Sequence, residues 1–107
     1  MGPWINMTDK IRRRTICCGE KLHQVYVTLA AGAKLPEHTH VHEQICTCVK
    51  GRIRLIVAGK QVEAGPGESI HLPSNIPHAA EVDVDTEVID TFSPPREDML
   101  EKDRAAK

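Results

Sequence analysis

The chain is poor in aromatic residues, in long apolar runs and in net charge. Its 107 residues include one Trp, one Tyr and one Phe, which argues against a surface that stacks many aromatic rings on a long polymer. Fourteen basic and fifteen acidic residues nearly cancel, so no positive field favours nucleic acid or an anionic membrane as a partner. No run approaches the roughly 18 apolar residues of a membrane span, and the N-terminus lacks the order of a signal peptide. We therefore expect a cytoplasmic protein.

The four cysteines are expected to remain thiols in that compartment. Cys46 and Cys48 share one strand parity and are predicted to face the interior, where packing explains them better than metal ligation does. Cys17 and Cys18 are adjacent, so on a strand they point to opposite faces and do not bridge each other without distortion.

Short stretches of alternating apolar and polar residues, separated by Gly and Pro, recur along the chain. In the stretch 22–30, Val25, Val27 and Leu29 occupy one face of a predicted strand. Further strands are predicted over 52–57, 60–63, 68–72, 78–82 and 87–92, the first two joined by a hairpin that bears a glycine. The pattern predicts an all-β barrel or sandwich.

The length predicts one domain with three parts. These are an N-terminal arm over residues 1–13, a β-barrel over residues 14–93 and a charged tail over residues 94–107. We interpret the three arginines at 12–14 as the solvated start of the first strand. In the tail, a Ser or Pro of the Ser-Pro-Pro sequence at 93–95 is predicted to start a short helix, with Glu97 and Asp98 in its first turn.

Three polar side chains, His38, His40 and Gln44, lie close together between two glycines. Residues two apart on a strand point to the same face, so the two histidines face together, and Gln44 has the same parity beyond a turn. A second stretch supplies a further donor, His78. Imidazole and amide oxygen ligands suit Ni, Zn, Mn or Fe better than copper(I). The sequence predicts a site for one divalent transition metal ion, with positions left open for a substrate.

The remaining histidines are given other roles. His42 shares the parity of His40 but is expected on the bend that follows, and we do not count it among the ligands. His71 lies on an earlier strand than His78 and is interpreted as structural. His23 carries no signal of a site.

The first histidine-bearing stretch resembles the first conserved motif of the cupin superfamily. Gly32, His38, His40 and Gly51 match that motif in identity and spacing, whereas Gln44 stands where the family has glutamate. The resemblance implies a single-domain cupin, a jelly-roll β-barrel. The amide removes one negative charge from the ligand set, which makes a bound metal a stronger Lewis acid.

The second stretch resembles the second cupin motif. Gly67, Pro73 and His78 match it, Asn75 stands where glycine is usual, and Val82 replaces the final asparagine. Asparagine tolerates the left-handed backbone conformation that a glycine provides, so the change at residue 75 is a mild one.

The segments 38–45 and 90–100 are similar to those of the KdgF group of small cupins. Members of this group act on unsaturated uronates released by pectin and alginate lyases and convert the cyclic sugar to its linear keto form. The resemblance implies that Asp90, Phe92 and Arg96 are the catalytic residues. A guanidinium suits the binding of a carboxylate, an aspartate can move a proton, and a phenyl ring can pack against a sugar. The alternative is an ion pair between Asp90 and Arg96 that ties the tail to the barrel.

The same resemblance implies a small acidic sugar as the substrate, a non-redox reaction and a homodimer. Family members pair through exchanged N-terminal strands, and Trp4 and Ile5 are candidates for that contact.

Two other classes of function stay open: a different metal-dependent cupin enzyme, either a dioxygenase or a sugar isomerase, and a non-catalytic module that binds a small acid. Oxygen consumption with iron bound would favour a dioxygenase, and tight binding without conversion would favour the binding module.

Overall fold

The computed structural model describes residues 1–106. This part of the chain forms ten strands and one helix: β1 (Ile5–Asn6), β2 (Ile11–Cys18), β3 (His23–Leu29), β4 (Lys34–His38), β5 (Glu43–Lys50), β6 (Ile53–Val57), β7 (Lys60–Ala64), β8 (Ser69–Leu72), β9 (His78–Glu81), β10 (Thr86–Ser93) and α1 (Glu97–Ala105). The predicted all-β architecture with a short helical tail is confirmed. None of the helical structure within residues 1–106 is long and apolar enough to cross a membrane.

The strands form two antiparallel sheets that enclose a common core. The larger sheet has the order β1-β2-β3-β10-β5-β8, and the smaller has the order β4-β9-β6-β7. Within residues 1–106, no strand of one sheet is hydrogen-bonded to a strand of the other, so the barrel is not closed. Neighbours in space are often distant in sequence, as where β10 lies between β3 and β5. This crossing places the end of β10 beside the start of β5, where the candidate site lies.

Alternating side chains from both sheets fill the interior. Val25, Val27 and Leu29 of β3 are buried, as their spacing predicts, because successive side chains of a strand point to opposite faces. The opposite wall is contributed by strands such as β6, whose Ile53 and Leu55 are buried. The core is therefore made of medium-sized aliphatic side chains from two facing sheets.

A tight hairpin joins β6 to β7 in the predicted place. The strands pair from Ile53 opposite Ala64 to Val57 opposite Lys60. The two residues between them, Ala58 and Gly59, have φ angles of 49° and 81°. Two successive positive φ angles are typical of a type I′ turn, whose twist matches that of the flanking strands.

The N-terminal residues are part of the larger sheet. Strand β2 begins at Ile11, inside the arm expected over residues 1–13, and β1 pairs with β2 of the same chain. Ile11 is buried, so the residues of β2 that share its face, including Arg13, point to the interior. The ring of Trp4 lies under the guanidinium of Arg12, 4.6 Å away. The homodimer remains a prediction.

The interpretation of residues 12–14 as a solvated basic run is wrong for Arg13. Its side chain is only 2% exposed, and its guanidinium lies 2.7 Å from Asp103 in α1. The reason is strand parity, since Arg13 shares the inward face of β2 with Ile11 and Thr15. Charge patterning alone gave no sign that one of the three arginines points inward.

Helix α1 confirms a helical tail with Glu97 and Asp98 in its first turn. Its N-cap residue is Arg96, which provides no side-chain cap, so the predicted start at a Ser or Pro is wrong. Asp103 in the last part of the helix is buried. The tail is consequently attached to the sheet through a buried charge pair.

Candidate metal centre and cavity

Three imidazoles converge where β4, β9 and the connection from β4 to β5 meet. His38 ends β4 and lies opposite His78, the first residue of β9. The ring of His40, two residues beyond β4, lies 4.9 Å from the ring of His78. One nitrogen atom from each residue lies within 4.8 Å of the others. The structure thus brings together the three histidines that the sequence predicts as metal donors.

The three rings present the same nitrogen to the centre. The Nδ1 atom of each contacts the carbonyl oxygen of a residue two positions away: Pro36 for His38 at 2.9 Å, His42 for His40 at 3.0 Å and Ile76 for His78 at 2.8 Å. A carbonyl oxygen can only accept, so Nδ1 carries the proton in all three rings. The Nε2 atoms are left with free lone pairs, which is the arrangement that metal-binding histidines adopt.

Gln44, the second residue of β5, completes the cluster. Its side chain is buried, and its Oε1 atom lies 3.0 Å from Nε2 of His40. Both atoms present lone pairs to the same point when Nδ1 of His40 is protonated. A cation between them would stabilise this contact.

Burial keeps the central imidazoles in their neutral form. Desolvation is the main cause that lowers the pKa of His40 to about 4, and the charge of Arg96 acts in the same direction. Desolvation also lowers the pKa of His78. Both rings are therefore unprotonated at neutral pH, the state in which imidazole binds a metal.

A cavity of about 250 Å³ extends from this cluster into the barrel. Its wall near the histidines includes Asp90, Phe92 and Arg96, and its deeper wall is aliphatic. Asp90 and Phe92 lie on β10, two residues apart, and Arg96 follows the double proline that ends the strand. The structure thus places the three residues implied as catalytic in one cavity with His38 and His78.

Asp90 is a half-buried residue whose carboxyl has an unusual environment. Its Oδ1 atom is buried and has no hydrogen-bond partner among residues 1–106. Desolvation raises the pKa of Asp90 to about 6, against smaller opposing effects of Gln44 and Cys46. A carboxyl with a pKa in this range can both release and accept a proton near neutral pH.

Arg96 pairs with Asp98 and not with Asp90. Its Nε and Nη2 atoms donate to the two carboxylate oxygens of Asp98 at 3.0 and 2.8 Å. The guanidinium also lies 4.9 Å from the ring centre of Phe92. The alternative in which Arg96 serves as the ion-pair partner of Asp90 is therefore wrong.

Comparison with known proteins assigns the family. Residues 25–92 match the model of the cupin domain. The chain belongs to the cupin family. The match covers both histidine-bearing stretches and ends at Phe92.

Three relatives of this cupin have closely similar sequences or structures. The pectin degradation protein KdgF of Dickeya dadantii (strain 3937) is 31% identical, over 92% of this chain and 91% of that protein. The structure of KdgF from Halomonas sp. has a TM-score of 0.84 and 31% identity, and the match covers 91% of this chain and 90% of that one. An RmlC-like cupin from Shewanella frigidimarina NCIMB 400 has a TM-score of 0.85 and 28% identity, covering 92% and 88% of the two chains.

The backbone of the second cupin motif explains one of its departures. Asn75 has a φ angle of 65°, the left-handed region where glycine is at ease and asparagine is tolerated. Its backbone N–H donates to the carbonyl oxygen of His40 at 2.8 Å. Asn75 therefore adopts the left-handed backbone conformation that glycine usually provides here, and its backbone connects the second motif to the first.

The donor set of this cupin fits a divalent transition ion. Metal bonds to histidine nitrogen are about 2.1 Å long, so two donors of one ion lie at most roughly 4.2 Å apart. The observed limit of 4.8 Å requires only a small contraction. Three imidazoles and one amide oxygen bring no negative charge of their own.

The other histidines of the cupin differ from the three at the centre. His42 lies on the bend, as predicted, and its ring packs 6.4 Å from Phe92. His71 faces outward and contacts Glu43 at 2.6 Å. His23 is completely buried and its Nδ1 atom accepts a hydrogen bond from the backbone N–H of Arg96. Its alternation on β3 with three buried aliphatic residues was the signal that could have revealed it.

The cysteines of the cupin are thiols, as predicted. Cys46 and Cys48 are buried in β5, and desolvation raises the pKa of both. Neutral thiols of this kind pack as small apolar residues and are poor metal ligands. Cys17 and Cys18 are both exposed.

Proposed function

We propose that this cupin is a metal-dependent enzyme that converts unsaturated uronates from pectin or alginate breakdown to their linear keto forms. The observation that carries the proposal is a cavity lined by two of the three clustered imidazoles, those of His38 and His78, together with Asp90 and Arg96. The similarity to a pectin degradation protein over most of the chain supports the substrate class. The reaction is an isomerisation, so it requires no redox partner.

In this proposal His38, His40, Gln44 and His78 hold one divalent transition ion, Ni, Zn, Mn or Fe. When bound, the ion supplies Lewis-acid stabilisation for negative charge that develops on a substrate oxygen. The protein contributes neutral donors in fixed orientations, because each Nδ1 proton is bound to a backbone carbonyl.

Arg96 binds the uronate carboxylate in this scheme. Asp98 occupies the Nε and Nη2 side of the guanidinium, which leaves the Nη1 side for a second carboxylate. Because Asp98 restrains the guanidinium, little side-chain freedom is lost when the substrate binds. Phe92, beneath the guanidinium, offers an apolar surface to the sugar ring and excludes water.

Asp90 moves the proton. The anomeric hydroxyl loses a proton, the bond between the anomeric carbon and the ring oxygen breaks, and that oxygen becomes the oxygen of an enolate. The enolate then gains a proton on carbon and becomes the ketone, so protons and electrons balance. Asp90 is suited to take the first proton and return the second, because its pKa of about 6 lies close to neutral pH.

The test is to add metal-loaded protein to unsaturated galacturonate and follow the absorbance of the conjugated double bond. We expect its loss to be faster than the spontaneous reaction, without consumption of oxygen. Asp90→Asn should remove the acceleration and leave the metal content unchanged. Equal rates with and without the wild-type protein would refute the proposal, and oxygen uptake would indicate a dioxygenase.

Replacement of Arg96 by lysine tests the carboxylate site. An ammonium cannot make two parallel hydrogen bonds to a carboxylate, so Arg96→Lys should raise KM by about tenfold or more, equivalent to about 1.4 kcal/mol. Arg52→Lys is the matched control, since Arg52 pairs with Glu63 on an exposed surface. An unchanged KM in Arg96→Lys would contradict the role of Arg96.

A further inference from the structure

Arg96 lies at the junction between β10 and α1, where its own segment does not fix its position relative to the barrel. It is the N-cap of α1 with an extended backbone, φ −80° and ψ 90°, and it has no side-chain cap. Its side-chain partner Asp98 belongs to the same helix, so that pair cannot set where the helix starts relative to the barrel. The position of Arg96 over the cavity must come from contacts with the sheet: its guanidinium packs on Phe92 of β10, and a second contact holds its backbone.

That contact is a hydrogen bond to a buried histidine. The backbone N–H of Arg96 donates to Nδ1 of His23 at 3.1 Å. His23 is the first residue of β3 and is 0% exposed. The imidazole therefore links the start of the helix to a central strand of the larger sheet.

A chain of buried hydrogen bonds holds this imidazole from its other side. Nε2 of His23 lies 2.9 Å from Oγ1 of Thr15. The same hydroxyl lies 2.6 Å from Oδ2 of Asp103, whose other oxygen is 2.7 Å from the guanidinium of Arg13. Thr15 and His23 lie on neighbouring strands, and Asp103 lies on α1. This series of hydrogen bonds therefore connects both ends of the tail to the sheet.

The chemistry of the groups permits one direction of donation. A backbone N–H only donates, so Nδ1 of His23 must be unprotonated and its Nε2 must carry the proton. Nε2 then donates to Thr15, and the hydroxyl of Thr15 donates to the carboxylate of Asp103. Each donor meets an acceptor, and the ring of His23 has one tautomer and one orientation.

We propose that His23 is a positioning residue that sets Arg96 over the cavity, with Thr15, Asp103 and Arg13 fixing its ring. Its functional consequence rests on the proposed function, in which Arg96 binds the substrate carboxylate. A histidine that served only to fill the core would need no acceptor at Nδ1. Two substitutions separate these cases because each keeps one of the two ring contacts.

The first experiment compares His23→Asn with His23→Gln in the metal-loaded protein. The amide of asparagine occupies the place of Nδ1 and can still accept from Arg96, whereas that of glutamine occupies the place of Nε2 and reaches Thr15 instead. We expect His23→Asn to keep KM for unsaturated galacturonate within about threefold, and His23→Gln to raise KM about tenfold at nearly unchanged kcat. Equal KM values in the two folded variants would overturn the proposal.

The second experiment needs neither a variant nor turnover. The N–H···N bond predicts a measurable ¹⁵N–¹⁵N scalar coupling between the amide of Arg96 and Nδ1 of His23 in the wild-type protein. Its absence in a well-resolved spectrum would overturn the inference, also if both variants fail to fold. Wild-type protein that shows this coupling but converts no uronate would refute the proposed function while the positioning of Arg96 stands.

Discussion

The proton on Asp90 couples the chemistry of the cavity to the stability of the fold. Burial raises the pKa of Asp90 from 3.8 to about 6. Between these two pH values the unfolded chain has released the proton and the folded chain still holds it, so the free energy of unfolding falls as pH rises. Below about pH 4 the carboxyl is neutral in both states, and this penalty is absent.

We therefore expect Asp90→Asn to stabilise the metal-free protein at pH 7 to 8. The gain over the wild type should be roughly 3 kcal/mol, the free energy that corresponds to the raised pKa. It should disappear near pH 4. Urea unfolding of both proteins across this pH range measures the difference. A constant difference at all pH values would show that charge burial at Asp90 is not its cause.

Asp98→Asn provides a control of opposite sign. Hydrogen bonds from Arg96 lower the pKa of Asp98 to about 2. The stability contributed by this carboxylate is present above about pH 4 and is lost as pH falls toward 2. Asp98→Asn should therefore be less stable than the wild type at pH 7 and similar to it near pH 2.

At the scale of elements, the packing of α1 on β2 includes a buried ion pair. Arg13 and Asp103 are 2% and 6% exposed, and Arg13 also donates to the carbonyl oxygen of Met99 at 3.1 Å. Removal of one partner from such a pair leaves an uncompensated buried charge. This ion pair therefore contributes strongly to holding the helix against the sheet.

Asp103→Asn is expected to lower the free energy of unfolding by about 3 kcal/mol, because Arg13 keeps its charge without a counterion. Glu63→Gln, which breaks the exposed pair with Arg52, should cost less than about 1 kcal/mol. Chemical denaturation of the two variants measures both values. Similar losses of unfolding free energy in the two variants would show that the buried Arg13–Asp103 pair stabilises the fold no more than an exposed pair does.

The β6–β7 hairpin contains an alanine in a conformation that glycine adopts more easily. Ala58 has a φ angle of 49°, where a Cβ atom costs about 1 kcal/mol. Ala58→Gly should raise the midpoint of urea unfolding slightly, by an amount that corresponds to roughly 0.5 kcal/mol after the entropy of the unfolded glycine is subtracted. Ala30→Gly, at an exposed alanine that is not among the positive-φ residues, should lower it. A loss of stability in both variants would argue against strain at Ala58.

At the scale of the whole molecule, a bound ion would connect the two sheets. His38 and His78 belong to the smaller sheet, and Gln44 belongs to the larger one. An ion that binds only the folded chain stabilises it by mass action, by about 2.7 kcal/mol at one hundred times its dissociation constant. Metal binding should therefore be visible in thermal unfolding of the entire domain.

We expect Tm of the metal-free protein to rise by on the order of 10 °C when a saturating divalent ion is added. His78→Ala should remove most of this increment, and His71→Ala should retain it, because His71 is exposed and contacts Glu43 away from the cavity. Calorimetry with and without Ni²⁺ or Zn²⁺ measures the increments. An increment that persists in His78→Ala would exclude the proposed ligand set.

Much of the fold could be read from the sequence because its signals are local. The alternation of Val25, Val27 and Leu29 indicates a half-buried strand, and a glycine-bearing hairpin is marked by its turn residues. The convergence of His38 with His40 was also predictable from parity, and the motif that contains His78 pointed to the same site. The burial of Arg13 was missed because the face of the sheet to which its side chain points depends on where β2 begins.

The sequence by itself determined the all-β fold, the family and the residues that surround the candidate metal centre, because strand periodicity and motif spacing are properties of short segments. Only the tertiary structure decided the protonated nitrogen of each imidazole, the partner of Arg96 and the buried chain from Arg13 to His23. These features join residues up to 90 positions apart. They depend on which side chains meet after the sheets pack, and no local pattern encodes that meeting.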